Sequence, residues 1–216
     1  MERDPAIRPA PSLAAEHDWA AASSLIRPAL RPVGTVGVDG TDLRVSTVSS
    51  APGKPLVKPG PAGVAVGFVI PGRGFDVHVG VDHMLAWGVG PDAVEAAAMA
   101  NLAAWSLEAE WVDEVNGQRR VRWSDSGDGM DAARILLRDV RRRLAADLAP
   151  AERVLVGVPE RNLLIAAALS EGDDEFAAML ADYVAGRAHA ADDPIDGRLF
   201  ELVDGELVEF NAESGR

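Results

Sequence analysis

Two clusters of acids and imidazoles have residue types that can do chemistry. In FDVHVGVDH, Asp76 and His78 are two residues apart, which puts both on one face of a strand, and Asp82 and His83 follow in the next turn. Imidazole beside carboxylate can ligate a divalent metal or form an acid–base pair. No H-E-x-x-H or comparable spacing accompanies them. The plain alternative is the polar, solvent-facing side of a strand.

The second cluster is SDSGDGMDAARILL, where Asp125, Asp128 and Asp131 alternate with serine and glycine ahead of an apolar run. A phosphate loop needs a lysine and a hydroxyl after its glycines, and here Met130 and Asp131 stand there instead. As a calcium loop, Ser124, Ser126, Asp128 and Gly129 fall at positions one, three, five and six, but the twelfth position is Ile135 rather than a bidentate glutamate. Irregular Ca²⁺ or Mg²⁺ binding by the three aspartates stays open. A nucleophilic Ser126 would need a base, and none of the histidines lies near it in sequence. The plain account has Asp128 or Asp131 capping a helix that Ala133, Ile135, Leu136 and Leu137 anchor. A divalent metal is the cofactor that either cluster would imply.

Other residues invite a structural role. Asn101 shares a helix face with Val94, Ala98 and Trp105, so its amide needs partners, and a clamp on a neighbouring loop or strand end supplies them. Arg134, Arg138, Arg141 and Arg142 recur at helical spacing and, with Arg119, Arg120 and Arg122, suggest a basic patch. From Ala151 onward 15 acids stand against 5 bases, so ion pairs within the chain or with a partner subunit are the simpler use of those arginines. Trp87, Trp105, Trp111 and Trp123 suit a core around the same helix and hairpin. PERN, from Pro159 to Asn162, reads as a turn.

The elements that must position these residues alternate between hairpins and separate helices. SLAAEHDWAAASSLI predicts a helix with Ser12 as N-cap and Pro28 at its end. Short strands are expected around DGTD between Val33 and Val48. The proline- and glycine-rich stretch from Ser49 to Gly63 reads as a loop. A hairpin turning at PGRG follows, then a helix opened by Pro91, then a hairpin turning at Asn116-Gly117. The second acidic cluster leads into a helix of roughly four turns. RVLVGV and LLIAAAL are strands either side of PERN, a helix starts at Asp173-Asp174, and a last hairpin turns at Asp204-Gly205.

Four segments together, WGVGPDAVEAAAMANL, GDGMDAARILL, VGVPERNLLIAAAL and PIDGRLFELVDGEL, resemble the YtpQ-like proteins, a bacterial family of unknown function with an α+β fold. The resemblance covers roughly the last two thirds of the chain. It implies a soluble bacterial protein and carries over no catalytic residues.

Bulk composition narrows the function classes. At 216 residues, 48% hydrophobic and 25% charged, the chain can build a sizeable core. A net charge of −13 opposes nucleic acid, and neither aromatic interleaving nor a groove-reading motif offsets it. The absence of cysteine removes thiolate chemistry and fits a reducing cytoplasm. No apolar run is long enough to span a membrane, and the N-terminus does not read as a signal peptide.

The expectation is an α+β fold of antiparallel hairpins packed against three or four helices. Residues 1–11 form a tail, 12–62 a helix with short strands ending in the proline-rich loop, and 63–216 the main domain. Two functions follow: a non-catalytic binding module or adaptor with a protein partner or a second copy, or a carboxylate- or divalent-metal-dependent hydrolase or transferase.

Overall fold

The computed structural model describes residues 18–38, 53–72 and 75–211. The strands expected around DGTD therefore lie largely outside the described residues, as do residues 1–17. Within them the fold is α+β, with five α-helices and two antiparallel sheets.

The first sheet is built on β3 (Ala65–Pro71), whose central residues are buried. Strand β1 (Arg27–Arg31) pairs along one side. On the other side β2 (Val57–Pro59) pairs with Ala65–Gly67 and β4 (Asp76–His78) with Val69–Pro71. Here the local reading needs correction. The N-terminal helix α1 is only Trp19–Ala22, capped by Asp18, and Pro28 sits inside β1 rather than ending a helix. Among the described residues β1 is an edge strand, where proline's missing N–H costs no ladder bond. Part of the proline-rich loop is likewise the short strand β2, with Val57 buried. Its Lys58 reaches Asp92, at 3.3 Å, and Glu95 in the first turns of the long helix that follows.

Helix α2 (Val81–Trp87) leads to α3 (Pro91–Glu108), whose Val94, Ala98 and Leu102 are buried. The hairpin β5 (Val112–Asn116) and β6 (Arg119–Ser124) then forms as expected, but its turn lies one residue further on. Asn116 pairs with Arg119, leaving Gly117 and Gln118 as the loop. Gly117 has φ +63°, the first central position that a type II′ hairpin reserves for glycine. Moving the turn by one residue moves each cross-strand pairing by two, so Val112 lies opposite Trp123 rather than Val121 and the faces of β5 are kept.

The expected four-turn helix is two pieces. Ala132–Leu136 is a 3-10 segment, Leu137 is extended at φ −78° and ψ 119°, and α4 (Arg138–Asp147) starts after it. The break rotates the arginines out of one stripe: Arg134 and Arg141 are buried, whereas Arg138, Arg142 and Arg143 are exposed. The one basic face read from the spacing does not exist.

Strands β7 (Arg153–Glu160) and β8 (Leu163–Leu169) are the centre of the second sheet, followed by α5 (Asp174–Ala190) and the hairpin β9 (Leu199–Val203) and β10 (Glu206–Glu209). The strand order is β10-β9-β7-β8-β6-β5. Burial on both faces explains the nearly continuous apolar runs of β7 and β8. Val154, Val156, Leu164, Ala166 and Phe200 face one core, which Leu30, Val66 and Phe68 of the first sheet and Ile26 and Leu56 just before its strands β1 and β2 enter too. Residues on both sides of Gly63 thus share one core. Leu155, Ile165, Ala167 and Leu199 face the other, against Phe176, Ala177, Leu180 and Val184 of α5. Helix and sheet approach closely at Gly157, where a Cβ would lie 2.5 Å from a Val184 methyl.

Candidate functional site

Three of the four residues of the first candidate cluster, Asp76, Asp82 and His83, are held in structural contacts. Asp76 accepts from Arg161 of the β7–β8 turn at 2.6 Å, so the PERN tip is tied to the first sheet rather than solvated. Asp193 joins that contact, 3.1 Å from Arg31. Partial burial of His78 and then the Arg31 charge hold the imidazole below its usual pKa, against acidification. Asp82 accepts from the Gly53 N–H at 3.0 Å. Nδ1 of His83 accepts from the Gly80 N–H at 3.2 Å, and its ring packs 5.3 Å from that of Trp87.

The second cluster also disperses. Asp131 is fully buried and accepts from Ser124 Oγ at 2.5 Å, the Ser126 N–H at 3.1 Å and Ser126 Oγ at 2.8 Å. It stands at the N-cap position of the 3-10 segment, but its carboxylate turns back to the serines and makes no cap bond, correcting the capping account. Asp128 accepts from Trp105 Nε1 at 3.0 Å. Asp125 stands apart on a groove described below. Among the described residues no three His, Asp or Glu side chains converge as ligands for one metal ion.

The serine bonded to Asp131 also accepts from a cation. Arg134, 1% exposed, donates to Ser124 Oγ at 2.7 Å, Ser106 Oγ at 3.0 Å and the carbonyls of Ser106, Ala109 and Glu110. Its guanidinium lies 3.9 Å from the ring centre of Trp111. Burial lowers its pKa to about 10, so it stays a cation at neutral pH, with the Asp131 charge opposing the shift. Arg141 plays a similar part, donating to the carbonyls of Ile135, Leu136 and Gly205. Nδ2 of Asn101 donates to the carbonyls of Ser23 and Ile26, both at 2.8 Å, which is the clamp its position calls for. These networks bind the fold together, and in the Arg134 network all of the guanidinium nitrogens donate within the chain.

An open groove lies on the other face of the second sheet. α5 packs on β7 and β9 and helps bury β8, leaving the same face of β6 only partly covered and that of β5 exposed. A groove of about 440 Å³ results. Trp123, Val121 and Ile165 form its floor, Phe176, Met179, Leu180 and Tyr183 its helical wall, and Glu114 and Asn116 its outer lip. Met179 is 53% exposed and Tyr183, the chain's single tyrosine, 46%. At one end Arg119 lies over the Phe176 ring, 5.1 Å from its centre, and donates to Asp173 at 2.7 and 2.9 Å. That bond holds the Asp173 carboxyl below the usual range. The groove holds two amphipathic aromatics, Trp123 on its floor and Tyr183 on its helical wall, with the acids Glu114 and Asp125 in its lining.

Residues Phe176, Met179, Leu180 and Tyr183 were not among the candidates read from the sequence. A signal was there: with Ala177 and Val184 they form an apolar arc of roughly 160° on α5, wider than a helix needs to cover one sheet. The buried side chains occupy one part of that arc, and Met179 and Tyr183 extend it into solvent. Comparison with family models, curated proteins and solved structures found no match for the chain. No helix among the described residues is long and apolar enough to cross a membrane.

Proposed function

We propose that the protein is a non-catalytic binding or adaptor protein, a bacterial relative of the YtpQ-like proteins, whose groove between α5 and the β5–β6 hairpin holds an apolar segment of a protein partner. The observation that carries this reading is the exposure of Met179 and Tyr183 beside Trp123 and Phe176. Large, semi-rigid side chains of this kind supply most of the energy in protein recognition, because they bury much area while ordering few bonds. Met179 adds a wall that can adapt its shape to what it covers. Several of the acids and histidines that would serve catalysis are instead taken up by partners of their own: Asp76 by Arg161, His83 by Gly80, Asp131 by two serines. The four motifs that resemble the YtpQ-like proteins fall on α2 and α3, the 3-10 segment, the β7–β8 pair and the β9–β10 hairpin, which build the scaffold behind the groove. A cytoplasmic setting, in keeping with the absence of cysteine, belongs to the same proposal.

The test is a titration with N-acetyl-leucine amide and N-acetyl-tryptophan amide, followed by backbone amide NMR. Shifts should concentrate on α5, β6 and β8, and should vanish in the Met179→Ala, Tyr183→Ala double variant while its melting temperature holds. Shifts scattered over the surface, or none at saturating ligand, would sink the reading.

A further inference from the structure

The lip of the groove is itself an unfinished piece of sheet. β5 is the last strand in the order β10-β9-β7-β8-β6-β5, and among the described residues nothing pairs with its outer edge. All its residues are exposed, including Val112 and Val115 at 47% and 64%. An edge strand carries a row of free N–H and C=O groups, and apolar side chains on it favour pairing with another chain.

The charges on β5 say which chain. The register with β6 puts Val112, Glu114 and Asn116 on the groove side, and the groove is lined by Glu114 and Asn116. Asp113 faces the other way and is held by Arg122 at 2.6 and 2.7 Å. Glu114 has no cation: it makes no ion pair among the described residues. A second copy of the chain is a poor occupant, because pairing all five residues antiparallel sets Glu114 against Glu114 of the second copy, and like charges directly opposite repel. A basic strand is a good one, for the local reason of Glu114 and because a chain of net charge −13 draws cations over longer range.

On the basis of the groove reading, we propose that the partner segment is extended and basic and adds to β5 as a seventh, antiparallel strand, with Lys or Arg opposite Glu114 and apolar residues opposite Val112 and Val115. Backbone bonds to β5 fix its register. Its alternate side chains rise on the groove side and raise the outer wall beyond Glu114, while the Trp123–Tyr183 trough takes apolar side chains leaning inward.

A capped peptide containing Thr-Val-Lys-Thr-Val tests this, beside a form with Glu for Lys and a form N-methylated at alternate amides. The lysine peptide should bind roughly fivefold tighter than the glutamate peptide, the size of one cross-strand charge pair exchanged for a like-charge pair. Glu114→Lys should reverse that order. N-methylation should weaken binding roughly tenfold through lost backbone bonds, and the amides of β5 should exchange more slowly in the complex. Equal binding of the N-methylated peptide, with shifts still on α5, would overturn strand addition and leave the groove reading standing. Silence on both α5 and β5 with every peptide and with N-acetyl-leucine amide would overturn both. A concentration-dependent dimer in sedimentation that Val115→Pro removes would assign the edge to a second copy instead.

Discussion

Arg134 and Arg119 make the same contact in opposite settings. Each lays its guanidinium over an aromatic ring, Arg134 on Trp111 and Arg119 on Phe176. Arg134 is sealed, spends its donors on two hydroxyls and three carbonyls, and is linked through Ser124 to the buried Asp131. Arg119 is 36% exposed, is held by Asp173, and stands at the open end of a groove. Residue type does not tell the two apart. Whether an arginine–aromatic contact is sealed or reaches solvent depends on what surrounds it: Arg134 is 1% exposed, whereas Arg119 covers the buried Phe176 ring and itself faces the groove.

The contrast can be broken by substitution. The largest effect should come from Arg134→Met, which leaves the Asp131 carboxylate buried without its cation and three carbonyls without donors. A loss of roughly 3–5 kcal/mol is expected for removing one member of such a buried network, read as a lower denaturant midpoint. A wild-type midpoint would mean the network contributes no net stability. Asn101→Leu comes next. It strips donors from the Ser23 and Ile26 carbonyls while keeping an apolar side chain on α3, and should cost about 1–3 kcal/mol in chemical denaturation. Arg119→Ala should barely move the melting temperature, since exposed pairs contribute little, yet it should change the shifts of Phe176 in the leucine amide titration. A large melting shift would make Arg119 a second Arg134 and erase the distinction. The smallest effect concerns pH. His78 has a folded pKa below 6.5, so as pH falls through 6.5 the unfolded chain takes up protons that the folded chain does not, and stability declines. His78→Gln should flatten that part of the stability profile between about pH 5 and 7.

How much of this was legible depends on how local each cause is. The β3–β4, β5–β6 and β9–β10 hairpins, the helix from Pro91 and the Asn101 clamp could be read because turn residues and a single helix face determine them. The N-terminal segment could not, because Trp19 to Ile26 fits a helix locally while pairing with β3 pulls Arg27–Arg31 into a strand. The arginine stripe failed at one residue, the extended Leu137, whose conformation is set by the packing of the segments on either side. The groove was illegible for a different reason. It exists only because β6 lies beside β8 while α5 lies over β7, and no spacing along the chain records that order of strands.

Gly157 sets a dimension as well as a contact. α5 rests on β7 where that residue has only a hydrogen, and Ile165 on the groove floor would meet an added Cβ at 3.1 Å. One methyl group there would act as a shim. It would lift the helix from its bed, swing Tyr183 and Met179 away from Trp123, and loosen the fit around any side chain seated between them. The calibre of the trough is therefore written in a residue that never touches what lies in it.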